Sequence, residues 1–173
     1  MSTSFYAVTF SFDPALADDD EALREQAIRY VREGLGIETD SRGDWFLWTL
    51  GRMAADLHPA ALRFLDGKSG VEFKADGAPW RMAVLAPADV PPAAAAFTAL
   101  MAQARRDPES LLPYFNGDWE LEEVEEAIAD PQEYEDDQGV GPHYLFLYLD
   151  AFQTMFEDAS AAGRGIVHLC CLP

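Results

Sequence analysis

The sequence predicts an α+β fold. A single domain over residues 1–173 holds a small mixed sheet covered by helices, and a C-terminal helix leads into an interior strand. Three observations indicate this fold. Apolar residues alternate over 5–12, which is typical of a strand. Later segments repeat apolar residues three or four positions apart, as amphipathic helices do. Residues 166–172, IVHLCCL, are apolar at almost every position, as in a strand buried on both faces.

The first half of the chain predicts a strand, two helices, a further short helix from Pro59 through Leu65, and two short strands. Residues 5–12 predict the strand, with Tyr6, Val8, Phe10 and Phe12 on one face. Acidic residues 18–21 suit a helix N-terminus, and Gly34 and Gly36 suit its end. A second helix begins near Asp44 and stops at His58-Pro59. Two short candidate strands lie at 71–73 and 80–85, separated by a turn-rich stretch over 75–79.

The second half is mainly helical. The alanine-rich run 93–104 follows Pro91 and Pro92 and predicts one helix. Residues 121–128 predict another, and residues 145–159 a long, strongly apolar one that Gly163 ends. A turn at Arg164-Gly165 then leads into the terminal strand. A long apolar helix that feeds directly into an apolar strand implies a sheet covered by helices.

The net charge excludes some classes of partner. The chain carries 31 acidic and 12 basic residues, a net charge of −19, and 49% of its residues are apolar. Sixteen carboxylates and no Lys or Arg lie between residues 107 and 163. Such a field repels phosphates and anionic headgroups, so we expect neither nucleic acid nor membrane as a partner. No signal peptide is predicted, and the two adjacent cysteines are badly placed for cross-linking, so a reduced, cytoplasmic setting is expected.

The densest acidic run lies over residues 118–137, with eleven carboxylates in twenty residues. Leu121, Val124 and Ile128 form one narrow apolar stripe, which places the neighbouring glutamates on the outer faces of a helix. Pro131 ends that helix, and an acidic loop follows. These carboxylates are the candidate partner-binding residues: Asp118, Glu120, Glu122, Glu123, Glu125, Glu126, Glu133, Glu135, Asp136 and Asp137.

Two chemical functions for the same carboxylates fit less well. An EF-hand needs oxygen ligands at alternate positions, a central glycine and a glutamate at position twelve, and residues 130–136 lack that order. No metal site is therefore predicted. Acid–base catalysis would need desolvated carboxylate pairs with separated pKa values, whereas an acidic loop keeps its carboxylates solvated.

Histidine and cysteine provide no catalytic residue that spacing alone can identify. His168, Cys170 and Cys171 lie in the apolar terminal strand and are expected to be structural. His143 follows a Gly/Pro-rich loop that could expose it. A pocket around Trp45, Trp48, His143 and Tyr144 is therefore an alternative site. The chain has no G-x-x-x-x-G-K-[ST], G-x-G-x-x-G, G-x-S-x-G or H-E-x-x-H pattern, and no cofactor is expected.

Residues 80–172 resemble the YfbM-like family, bacterial proteins of unknown function with an α+β fold. Val84-Leu85-Ala86-Pro87-Ala88-Asp89-Val90 is similar to that family's "L-T-P-x-x-V" helix start. The pattern "F-x-x-L-x-x-F-Y-x-x-A-A-x-x-G" is matched in type by Phe152, Phe156, Ala159, Ala161, Ala162 and Gly163. Pro91 and Pro92 depart from the continuous helix of the family. The resemblance implies the fold and supplies no catalytic residues.

Two functions remain open from the sequence. The first is a binding protein of the immunity or inhibitor kind, whose 107–163 surface engages a basic protein. The second is a small-molecule-binding domain or enzyme with the pocket near His143. A flat acidic surface favours the first, and a deep pocket with converging polar groups favours the second. The sequence leaves the oligomeric state open.

Overall fold

A computed structural model describes residues 7–39, 43–58, 60–66, 69–115, 119–131 and 142–171, with all side chains except those of 38–39, 43–48, 55 and 66. In these ranges strands and α-helices follow one another in the order β1 (Ala7–Phe12), α1 (Asp20–Glu33), β2 (Ile37–Thr39), α2 (Gly43–Leu57), β3 (Val71–Ala75), β4 (Ala78–Leu85), α3 (Val90–Arg106), α4 (Leu121–Ala129), α5 (Pro142–Ala161) and β5 (Gly165–Cys171). Short 3-10 segments lie at Pro14–Leu16, Arg63–Asp66 and Pro108–Phe115. The α+β prediction is confirmed.

The strands form one sheet in the order β2-β1-β5-β4-β3, and each pairing of neighbours is antiparallel. The predicted mixed sheet is therefore wrong for the described strands. The connection between β4 and β5 explains why this pair of strands is antiparallel. Leu85, where the chain leaves β4, is the registered partner of Ile166, where it enters β5. The intervening helices return the chain to the end of the sheet that it left, and neighbouring strands joined in that way run antiparallel.

Helices cover both faces of this sheet, as predicted. On one face α1 supplies Leu23 and Ala27, which pack with Phe10 of β1 and Leu169 of β5. On the other face α2, α3, α4 and α5 build the larger core. Helix α5 buries most of its own large side chains in this core. Among them, Phe146, Phe152 and Phe156 are fully buried. The two faces of the protein are therefore built from different helices.

Strand β5 is the central strand of the sheet, paired with β1 on one side and β4 on the other. The predicted interior strand is confirmed, since Ile166, Val167 and Leu169 are 0% exposed. Because successive side chains of a strand point to opposite faces of the sheet, the two adjacent cysteines of β5 lie on different faces. Cys170 lies in the larger core and Cys171 packs against the α1 side. The apolar character of both faces thus follows from burial in both layers.

The helix ends follow local chemistry. Asp19 caps α1 by accepting the Ala22 N–H, and Gly34 ends it in the left-handed region at φ 63°. Helix α3 begins at Val90, three residues before the expected start. Pro91 and Pro92 lie in its first turn, where a missing N–H costs no intrahelical hydrogen bond. Gly163 (φ 63°) follows α5 and lets the chain turn into β5.

Candidate binding surface

Helix α4 is a short, well-anchored helix. A capping box closes its first turn: the Glu120 side chain accepts the N–H of Glu123, and the Glu120 N–H donates to Glu123 Oε2 at 2.7 Å. Val124, Ala127 and Ile128 are buried against the larger core. The apolar stripe predicted from spacing is confirmed, although Leu121 is only half-buried and Ala127 joins it. The capping box and the buried apolar stripe together fix the orientation of the outer face of α4.

That outer face carries the glutamates in two roles. Glu122, Glu123, Glu125 and Glu126 are all exposed. Glu123 uses one carboxylate oxygen in the capping box, so part of its charge serves the helix end. The carboxylates of Glu122, Glu125 and Glu126 make no hydrogen bond or ion pair with another residue of the described chain. We call Glu122, Glu125 and Glu126 the acidic surface. The capping role was missed because Glu replaces the Ser or Thr usual at the cap.

Two arginines lie beside this surface although the sequence places none within it. Arg105 and Arg106 end α3, and they line an open cleft of about 530 Å³ together with Glu125 and Asp150. Pro108 and Pro131 form other parts of the same wall. The sequence does not predict this arrangement, because the 3-10 segment Pro108–Phe115 lies between α3 and α4 in the chain. The absence of cations is therefore a property of the 107–163 segment and not of its whole surroundings.

The remaining predicted partner-binding residues lie outside the described chain. These are Asp118, Glu133, Glu135, Asp136 and Asp137. Of the predicted set, the structure brings Glu120, Glu122, Glu123, Glu125 and Glu126 together on one short helix. The described part of the predicted surface is thus continuous.

We predict that this segment forms no specific calcium site. Calcium requires six to eight oxygens converging on one point, and the outer carboxylates of a helix diverge. No group of three or more His, Cys, Asp or Glu among the described residues could hold a metal ion. Isothermal titration is expected to show weak uptake of several cations that added salt abolishes. A single submicromolar calcium site would contradict the prediction.

The alternative pocket is only partly described. His143 is half-buried and Tyr144 is buried near the start of α5, where the Tyr144 and Tyr148 hydroxyl oxygens lie 3.4 Å apart. The side chains of Trp45 and Trp48 lie outside the described part of the protein. The cleft lined by Arg105 and Arg106 contains none of the four predicted pocket residues. A pocket at His143 remains a prediction.

A buried polar cluster connects β1 and β5. His168 is 2% exposed, with its Nδ1 2.8 Å from Thr9 Oγ1 and its Nε2 3.1 Å from Cys170 Sγ. Burial lowers the pKa of His168 from 6.5 to about 4, so the ring is neutral at physiological pH. The pairing follows from alternation, since residues 168 and 170 share one face. A thiol and an imidazole this deeply buried have no access to a substrate, which agrees with the predicted structural role.

None of the helices in the described residues is both long enough and apolar enough to cross a membrane. In comparisons of the whole chain, no family model matches it, and no curated protein and no solved structure is significantly similar. The resemblance to the YfbM-like family stays a prediction, and the site must be judged on its own geometry.

Proposed function

We propose that this protein is a cytoplasmic binding protein that captures a basic protein partner through the acidic surface of α4. An immunity-like or inhibitor-like role, in which the partner is neutralised by being covered, is the form of binding that suits such a surface. One observation carries the proposal. Glu122, Glu125 and Glu126 are exposed on an anchored helix, and their carboxylates form no ion pair in the described chain, although Arg105 and Arg106 line the cleft beside Glu125.

The arrangement has a cost that solubility alone does not explain. Glu122 and Glu126 are four residues apart, and like charges at that spacing destabilise a helix by roughly 0.2–0.5 kcal/mol. Soluble proteins ordinarily mix both signs on such a face. A single-sign patch increases the encounter rate with an oppositely charged protein, and salt reduces that increase. The acidic surface is therefore suited to electrostatic steering.

The test replaces Glu122, Glu125 and Glu126 with Gln and leaves Glu123 in its capping role. The variant should fold normally, because none of the three side chains packs in the core. Capture from an extract of the source cell at low salt should fall. Association with the captured partner should slow by about tenfold or more, with a smaller salt dependence.

A matched control removes the same charge elsewhere. Asp18→Asn, Glu33→Gln and Asp89→Asn change three exposed carboxylates outside α4 and should leave the association rate close to that of the wild type. If the α4 variant folds and binds with unchanged rate and salt dependence, the acidic surface is only a solvated face. Equal slowing in both variants would assign the effect to net charge.

A further inference from the structure

A second candidate site lies on the opposite face of the sheet from α4. Helix α1 crosses this face and leaves an open cleft of about 550 Å³ beside strand β3, which is an edge strand of the described sheet. The cleft is lined by Arg24, Glu25, Ile28, Arg32, Phe73, Lys74 and Ala75. Three of these residues are cationic in a chain whose net charge is −19. The cleft thus has the opposite electrostatic character to the acidic surface.

Arg24 is the distinctive residue of this cleft. Its guanidinium carbon lies 5.8 Å from the centre of the Phe73 ring, a cation–π contact. Its Nε is buried and has no hydrogen-bond partner in the described structure. Within that structure Arg24 also makes no ion pair. A buried guanidinium N–H without an acceptor is unfavourable, and Arg24 lines an open cleft, so this residue suits an anion supplied from outside.

The neighbouring cation is already occupied. Arg32 donates from Nε and Nη2 to the two oxygens of Asp76, at 3.0 and 2.6 Å. This fork lowers the pKa of the Asp76 carboxyl, first through the hydrogen bond and then through charge attraction. It also ties the last turn of α1 to the turn between β3 and β4. The pair therefore fixes one end of the cleft and leaves Arg24 as its available guanidinium.

The rest of the cleft is apolar. Ile28, Phe73 and Ala75 are half-buried hydrophobic residues that pack against the α1 side of the core. Glu25 adds a carboxylate, which disfavours ligands of high negative charge. A ligand whose anionic group contacts Arg24 could therefore place a flat apolar part against Ile28 and Phe73. A volume of about 550 Å³ accommodates a small organic molecule.

We propose that the α1–β3 cleft binds a singly charged organic anion, such as a carboxylate carried on an aromatic or other flat apolar body. Arg24 provides the charged contact and Phe73 with Ile28 the apolar one. This site does not depend on the proposed function of α4, because it uses other helices and the other face of the sheet.

The experiment uses the full chain and the probe 8-anilinonaphthalene-1-sulfonate, an aromatic monoanion that fluoresces in apolar surroundings. Arg24→Met keeps most of the side-chain length and removes the charge. It should weaken probe binding by about tenfold or more, since charge-assisted hydrogen bonds are strong in partly buried sites. Arg105→Met removes a charge at the cleft beside α4 and should leave probe binding unchanged. Circular dichroism checks that each variant folds.

Two further arms decide the ligand class. 3-Phenylpropionate should displace the probe, and phenyl phosphate, which carries more charge, should displace it less well. Arg24→Lys keeps a charge but not the planar fork and should bind the probe with intermediate affinity, which tests the site even if Arg24→Met does not fold. Wild-type affinity in folded Arg24→Met, or in Arg24→Lys if Arg24→Met does not fold, would overturn the proposal. An equal loss in Arg105→Met would also overturn it. Stronger displacement by phenyl phosphate would reject the monoanion assignment.

Discussion

Leu169→Asp is expected to abolish the folded protein. Leu169 is 0% exposed in the central strand β5, where it packs with Val8, Met82 and Leu23 between the sheet and α1. The substitution removes a buried aliphatic side chain and places an unpaired carboxylate in its position. The two costs together exceed about 5 kcal/mol, which is the lower end of the stability of a whole domain. Expression should yield insoluble or degraded chain, measured as the soluble fraction after lysis.

Val84→Asp is the matched control. Val84 lies on the same face of the sheet, two residues beyond Met82 in the neighbouring strand β4, but it is 39% exposed. The new carboxylate would remain solvated, and the loss in the free energy of unfolding should be about 1 kcal/mol, mainly from lower strand propensity. Soluble, folded Leu169→Asp would mean that β5 is not the covered central strand described above. Insoluble Val84→Asp would show that any charge on this face prevents folding.

The second large effect is a loss of stability on acidification caused by His168. Its folded pKa of about 4 lies below the ordinary value of 6.5, because burial opposes the charged ring. Between these values the unfolded chain binds a proton at this residue and the folded chain does not. The stabilisation is therefore complete above pH 6.5 and is lost as the pH falls towards 4. The difference corresponds to about 3 kcal/mol in the free energy of unfolding.

Other groups titrate in the same range, so the effect must be measured as a difference. Protonating carboxylates of a chain with net charge −19 relieves repulsion and stabilises the fold, which opposes the contribution of His168. His168→Gln retains a hydrogen-bonding side chain near Thr9 but has no proton to gain. Urea unfolding at several pH values should show a steeper loss in the wild type than in this variant between pH 6.5 and 4. Parallel curves would contradict the assignment.

The sequence predicts the layers of this fold well, because each rests on a local period. Continuous apolarity in β5 predicts burial on two faces, and the structure agrees. Alternation in β1 predicts one apolar face, and Val8, Phe10 and Phe12 are indeed buried on the α1 side. The opposite face of β1 is buried as well, through Ala7 and Thr9, which the alternation does not predict. The predicted mixture of strand directions was wrong, because direction depends on where a long connection returns to the sheet. The local pattern of apolar residues contains no information about that path. The antiparallel β4–β5 pair follows from the path of α3, α4 and α5 between Leu85 and Gly165.

The candidate sites were predictable only where they are local. The exposed glutamates of α4 follow from helical spacing around Val124 and Ile128. The contact of Arg24 with Phe73 joins α1 to β3, and neither segment contains a signal for the other. Arg105 and Arg106 likewise approach Glu125 only through the packing of α3 near α4. Charge counts along the chain therefore describe a surface incompletely until the helices are placed.

The position of β5 between β1 and β4 also has a kinetic consequence. Thr9 and His168, which meet across the β1–β5 pair, are 159 residues apart, so the centre of the sheet closes a very long loop. Loop closure of this length and pairing of this range are associated with slow folding. Until β5 arrives, β1 and β4 each present an unpaired apolar edge, and the helices of both faces lack a common sheet. The chain is thus most prone to association before β5 has paired with β1 and β4.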